Sequence, residues 1–220
     1  MSWLSALRGA GPRKDTAVRG SAARSGVAEE GPEIHRSLAL PAVFSTLARG
    51  HRLNVLDLGP AIGGNVERLS EFSCKLYIED LYASRSQEGA ARSLGPDFFA
   101  QFLAPPEGTQ FDLVLAWDLF NYLDRKELAL LAERLRRFCR PGALLFALSS
   151  IHKTIPAQPI RFRFHDRDED QLVYERLTLV ERPGPRFVPA EFNDLLRGFQ
   201  VDRSFLLRHG IQEYLFLREG

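Results

Sequence analysis

Within residues 53–72 the hydrophobic period changes from that of a strand to that of a helix across a glycine-rich turn. Residues 53–58 form a short apolar run rich in β-formers, and Gly59-Pro60 ends it. Gly63 and Gly64 follow, and from Asn65 onward Val66, Leu69 and Phe72 recur at helical spacing. A strand, a glycine turn and a helix is the order this dictates. Glycine has no Cβ, so such a turn lets the backbone pass close to a ligand, and the free N–H groups at the helix start favour a carboxylate or a phosphate. Taken alone, the turn fits a nucleotide-like ligand or a purely structural crossing.

The rest of the chain repeats the alternation. Residues 75–81 read as a second strand closed by Glu79-Asp80, and residues 111–117 as a third, apolar enough to be buried on both faces of a parallel sheet. Residues 125–139 place Leu128, Leu131, Leu135 and Phe138 on one helical face, and Pro141-Gly142 ends that helix before a strand at 143–148. An earlier helix is expected at 37–47 around Pro41 and a short one at 189–199. Two extended runs, 200–207 and 211–218, flank Arg208-His209-Gly210 as an expected antiparallel hairpin.

Composition bounds the organisation. With 220 residues, 45% of them hydrophobic, the chain suits one α/β domain, expected over residues 33–220. Residues 1–32 are rich in Arg, Ser, Gly and Ala and cannot bury a core, so they are expected to form a mobile tail; their Arg-rich, acid-poor character also resembles a transit peptide. Lys plus Arg number 29 against 28 acids, which gives no whole-molecule argument for nucleic acid or a membrane surface. No apolar run reaches the ~18 residues of a membrane span, and no signal-peptide pattern opens the chain, so a cytoplasmic location is expected. Cys74 and Cys139 lie far apart without Cys-x-x-Cys spacing, which points to reduced thiols rather than a disulfide or a metal site.

Asp80 stands at the end of the second strand, where a carboxylate can accept from ribose hydroxyls. With it, the run Val55-Leu56-Asp57-Leu58-Gly59-Pro60-Ala61-Ile62-Gly63 resembles motif I of the class I S-adenosylmethionine-dependent methyltransferases, and Ile78-Glu79-Asp80-Leu81 resembles their ribose-binding strand end. Phe111 through Asp118, residues 135–146 and residues 201–217 are similar to the family's fourth strand, fifth strand and terminal hairpin. The resemblance covers residues 38–218. It implies an α/β fold, a Rossmann-like three-layer sandwich on a mostly parallel seven-stranded sheet with an antiparallel C-terminal hairpin, and S-adenosylmethionine as cofactor. It further implies that Asp57, Gly59 and Gly63 line the methionine portion, with Pro60 and Ala61 in the same loop. Asp80 would hold the ribose, Leu81 would pack beside the adenine, and Asp118 would line the methyl-donating end. Two departures stand out: Ala61 replaces the middle glycine, and Gln101 and Phe102 occupy the region where many members place an acid for the adenine amino group. A catalytically inactive binding or scaffold protein on the same fold is the competing reading, and a nicotinamide-dependent oxidoreductase a third. The terminal hairpin argues against the oxidoreductase.

Methyl transfer from a sulfonium needs in-line alignment and, for a protonated nucleophile, a base. Asp118, Asn121 and Tyr122, following the strand at 111–117, are the candidates to face the methyl group; capping by Asp118 and packing by Tyr122 are the structural alternatives. Residues 151–189 form a long connection whose Arg161-Phe162-Arg163-Phe164-His165 precedes an acidic run. It is expected to form a strand-turn-strand lid over the acceptor pocket. The acidic run argues against a phosphate-tracking surface, so a small-molecule or protein acceptor is expected rather than RNA. His165 is a further candidate base.

Overall fold

The computed structural model describes residues 31–88, 94–185 and 187–220, so the expected tail lies outside the described residues except for its last two positions. The elements are β1 (Glu33–Arg36), α1 (Leu40–Leu47), β2 (Leu53–Asp57), α2 (Gly63–Ser70), β3 (Cys74–Ile78), α3 (Leu81–Glu88), α4 (Pro96–Phe102), β4 (Phe111–Trp117), α5 (Arg125–Phe138) and β5 (Cys139–Ser150). There follow β6 (Thr154–Pro156), β7 (Arg161–Phe164), β8 (Gln171–Glu175), β9 (Glu181–Pro183), α6 (Glu191–Leu195), β10 (Phe199–Leu206) and β11 (Ile211–Arg218).

The central sheet has the order β10-β11-β5-β4-β2-β3. Neighbours from β5 to β3 pair parallel, while β11 lies antiparallel to both β5 and β10. Strands β2, β4, β5 and β11 carry apolar side chains on both faces, and the two sets enter different cores. Leu56, Val114, Ala116, Leu145, Tyr214 and Phe216 pack with residues of α4, α5 and α6. Val55, Leu113, Leu115, Phe146, Leu148 and Leu215 pack with α1, Leu69 of α2, and Phe162, Phe164, Leu172 and Tyr174 of the long connection. Three layers result, and a small sheet supplies part of one of them.

Local chemistry fixes the helix ends. Asp124 caps α5 and forms a reciprocal capping box with Glu127. The helix buries Leu128, Leu131 and Leu135 almost completely, which stabilises by about 1.5–3 kcal/mol per side chain. Helix α1 begins at Leu40 rather than Ser37 because Pro41 belongs in a first turn; the Ser37 hydroxyl accepts from the Leu40 N–H at 3.0 Å.

Six strands form the central sheet, where the resemblance implies seven. Between Asp80 and Phe111 the described residues form α3 and α4 and no strand. Pro96 opens α4 and Phe98, Phe99 and Phe102 recur at helical spacing, so this stretch packs as a helix against α5 and leaves β3 as the sheet edge.

The connection at 151–189 has structure of its own. β7 and β8 pair antiparallel, β8 also pairs with β1, and β6 pairs with β9 as a separate ribbon. The β7 edge is held by α2: buried Asn65 donates from Nδ2 to the Phe162 carbonyl at 3.0 Å and accepts on Oδ1 from the Phe164 N–H at 2.9 Å. One amide side chain thus serves β7 as a neighbouring strand would. Of the described helices, none is long and apolar enough to cross a membrane.

Candidate functional site

In an open parallel sheet, ligands bind beyond the carboxyl ends of the strands where the connections diverge to opposite sides. Here that point lies at the ends of β2 and β4. A cavity of about 360 Å³ opens there, within the range of small-ligand sites. It is lined by Gly59, Pro60 and Ile62 after β2, by Trp117 with Asp118 at the end of β4, and by Asp80, Ile160 and Phe162.

Asp80 is half-buried, and its Oδ1 accepts from the Ala83 N–H at 2.9 Å, capping α3. Its second oxygen takes no hydrogen bond among the described residues. Asp57, only 2% exposed, is sealed beneath the loop instead of lining the cavity. Its Oδ1 accepts from the Gly59 N–H at 2.9 Å and from the Trp117 indole N–H at 2.6 Å. Burial pushes its carboxyl up to about 6 despite these two bonds, and the charge of Asp80 adds to the rise.

Trp117 adopts φ +47, a left-handed conformation rare for a bulky residue. That conformation accompanies an indole set against the turn: a Cβ on Gly59 would lie 2.7 Å from Trp117 Cδ1. A Cβ on Gly64 would meet Arg163 Cδ at 2.9 Å, whereas nothing lies within 4 Å of one on Gly63. Two of the three glycines therefore make room for side chains of this chain, and Gly63 leaves the helix start open.

Asp118 is 4% exposed and lines both this cavity and a second one of about 420 Å³. Its Oδ2 accepts from the Ile160 N–H at 3.1 Å, and it makes no side-chain cap to the 3-10 turn that follows. Burial pushes its carboxyl up to about 7, against the pull of the Ile160 N–H. Tyr122 lines the second cavity, but its hydroxyl is committed to the carbonyls of Pro156 at 3.1 Å and Gln158 at 3.0 Å. It pins the connection to the sheet, and burial raises its phenol well above the usual range.

No family model matches the chain, and no curated protein sequence does. Solved structures do. An S-adenosylmethionine-dependent methyltransferase from Clostridium acetobutylicum superposes with TM-score 0.50 at 15% identity, over 82% of this chain and 88% of that one. The PH0226 protein from Pyrococcus horikoshii superposes with TM-score 0.51 at 17% identity, over the same 82% and 88%. The chain has the class I methyltransferase fold.

On this methyltransferase fold the residues singled out from the sequence separate into two groups. Gly59, Pro60, Asp80 and Asp118 meet at the first cavity, with Asp57 directly beneath it and Ala61 and Gly63 beside it on the exposed loop. Leu81, Gln101 and Phe102 are not brought there. Leu81 is 2% exposed and packs in the helix-side core, Gln101 is exposed on α4, and Phe102 packs on that same core. For Gln101 and Phe102 the reason is the missing strand: α4 occupies the region and turns Gln101 to solvent. His165 lies at the tip of the β7–β8 hairpin, its Nδ1 3.1 Å from Asp168 Oδ2, and lines neither cavity.

The connection expected over the acceptor pocket lines both cavities, with residues 152–156 at the second and 158–162 at the first; the sequence reading did not assign 158–162 to the first cavity and did not single out Tyr82 or Trp117 as lining it. Trp117 carries a signal in retrospect, because an indole at the end of a buried strand needs a hydrogen-bond partner and Asp57 is the buried acid nearest in the motif.

Proposed function

We propose that this chain is an S-adenosylmethionine-dependent methyltransferase that holds the donor in the first cavity and receives the acceptor from the second. The observation that carries this reading is Asp118, a buried carboxyl that lines both cavities.

The residues fit the donor. The first cavity has the volume of a small-ligand site, Asp80 keeps one oxygen for ribose hydroxyls, and the space over Gly63 is open at the start of α2. Gly59, Pro60 and Ile62 would lie along the amino-acid portion. When bound, S-adenosylmethionine supplies a sulfonium methyl group open to in-line attack.

The protein's own contribution is alignment, exclusion of water and management of one proton. Trp117, Ile160 and Phe162 wall the donor side with apolar surface. Asp118 takes the proton from the attacking group: with its carboxyl near 7, a large fraction is ionised at neutral pH, and the basicity suits a general base. The Ile160 N–H orients that carboxylate, and Tyr122 fixes the segment that carries Ile160. Calorimetric titration of the full chain with S-adenosylhomocysteine tests the reading. Binding of one equivalent is expected, and an absence of heat and of thermal stabilisation at millimolar ligand would refute it.

A further inference from the structure

Among the described residues, five buried side-chain polar atoms have no hydrogen-bond partner: Arg68 Nε, Tyr174 Oη, Arg176 Nε, His209 Nε2 and Glu213 Oε1. Three of these, on Tyr174, Arg176 and His209, belong to residues that line the second cavity. Buried polar atoms are almost always paired, so their concentration at one cavity marks a place where a polar ligand completes the set.

We propose that the second cavity binds the methyl acceptor and that this acceptor is a small carboxylic acid, held at Tyr174 and Arg176 with its nucleophile toward Asp118. The word acceptor rests on the methyltransferase reading; the carboxylate site rests on the cavity itself.

Tyr174 is 6% exposed, and its ring is fixed on three sides, 4.6 Å from His35, 4.8 Å from Phe162 and 5.4 Å from His209 between centroids. Its hydroxyl is buried and left without a hydrogen-bond partner. Arg176 follows one residue beyond the end of β8 and lines the same cavity. Its Nη2 lies 3.5 Å from Glu181 Oε1, leaving the Nε–H unused. His209 stacks on His35 at 4.1 Å with Nε2 unpaired.

The three unmet groups at the cavity are donors, or can act as donors, the unmet acceptor Glu213 Oε1 lying outside its lining, and the acids at the cavity have partners, Asp118 accepting from the Ile160 N–H. Glu33 bonds His35 at 2.7 Å, and Glu181 accepts from Thr154 and faces Arg176. What is lacking is an acceptor with more than one oxygen, and a carboxylate matches the edge of a guanidinium beside a phenol. Lys153 adds a second cation at the cavity. Ile155, Ile160 and Ile211 give the carbon skeleton an apolar wall, and a volume of about 420 Å³ suits a small molecule. The histidines do not form a metal site, since no group of three or more ligating side chains is placed to hold an ion among the described residues.

The test compares benzoate with its neutral isostere benzamide on the full-length protein, followed through histidine ring resonances at pH 7. Benzoate is expected to move His35 and His209 at a concentration about tenfold lower than benzamide, the factor of one charge-assisted bond, and to leave His51 and His165 unmoved. Arg176→Gln and, separately, Tyr174→Phe should bring the two probes together. Equal response to acid and amide, or no response of His35 and His209 to either, overturns the proposal. S-adenosylhomocysteine titrated into the same samples separates the two failures. Binding of it without benzoate discrimination removes the carboxylate site and keeps the methyltransferase reading. Discrimination without its binding keeps the carboxylate site and removes the acceptor role.

Discussion

Replacing Asp118 with Asn removes a charge that the fold holds at a cost, and the structure gives both the sign and the size of the effect. The carboxyl rises from 3.8 to about 7 in the folded protein, chiefly by burial. The native state therefore keeps a proton that the unfolded chain has already released. The contribution of this group to stability is whole below about pH 4 and is lost as the pH climbs through 7. Holding a proton about a thousandfold more tightly corresponds to about 4 kcal/mol of destabilisation once the group is ionised in both states. Asn is neutral throughout, and its side-chain oxygen can still accept from the Ile160 N–H, which lies 3.1 Å from the present carboxylate. The amide also brings an NH₂ group that must find a partner, which offsets about 1–2 kcal/mol. The variant should thus be more stable than the parent by about 2–3 kcal/mol at pH 8 and, with only the amide penalty left, less stable by about 1–2 kcal/mol at pH 4. Asp57, raised to about 6 by its own burial, titrates in both proteins and cancels in the comparison. Guanidinium unfolding at pH 4, 6 and 8 measures the difference directly. A variant that is less stable at pH 8, or a gap that does not change with pH, refutes the assignment of Asp118 as a buried, strained base. With an acceptor in hand, turnover should fall by roughly 10²–10⁴-fold, the usual contribution of a general base.

Gly59→Ala should displace the indole of Trp117, because the new methyl would stand 2.7 Å from its Cδ1, and so break the 2.6 Å bond to Asp57. A loss of about 1–3 kcal/mol in denaturant unfolding, with a shifted tryptophan emission, is expected; an unchanged spectrum and midpoint would contradict the packing described. Asp80→Ala should weaken S-adenosylhomocysteine binding by roughly 10- to 100-fold in calorimetry and cost about 1 kcal/mol of stability through the lost cap on Ala83. Unchanged affinity would end the ribose assignment.

The parts of the fold legible in the sequence are those whose pattern is set locally. β4 matches its expected residues because six of its seven positions are apolar and buried, on both faces, and α5 matches within one residue because a capping pair and a leucine face bound it. The seventh strand came from the resemblance; the residues themselves offer only six β-runs for the central sheet. β1 was invisible for a different reason. Its four residues, Glu-Ile-His-Arg, are mostly charged or polar, and they become a strand only because β8, far along the chain, supplies the edge. The length of the 151–189 connection marks it as a structured lid, but no local period announces that its residues 158–162 will fold back over the end of β4 and wall the first cavity. At the site, Asp80 and Asp118 were readable because strand ends in a parallel sheet converge, whereas the absence of Gln101 from it follows from helix α4 replacing a strand.

The glycine motif shows most clearly how one pattern can serve two ends. Read for a ligand, Gly59, Gly63 and Gly64 are three points of close approach. In the fold, Gly59 admits Trp117, Gly64 admits Arg163, and only the start of α2 at Gly63 is left open. Asn65, two residues on, then clamps β7 through both its amide atoms. β7 continues from the Ile160 whose N–H holds Asp118, and it pairs with β8, which carries Tyr174. A single hydrogen-bonded path therefore runs from the glycine loop through β7 to Asp118 at the first cavity, and through β8 to the far wall of the second. The two cavities have one frame, and the residues that a ligand-binding motif predicts are also the ones that build it.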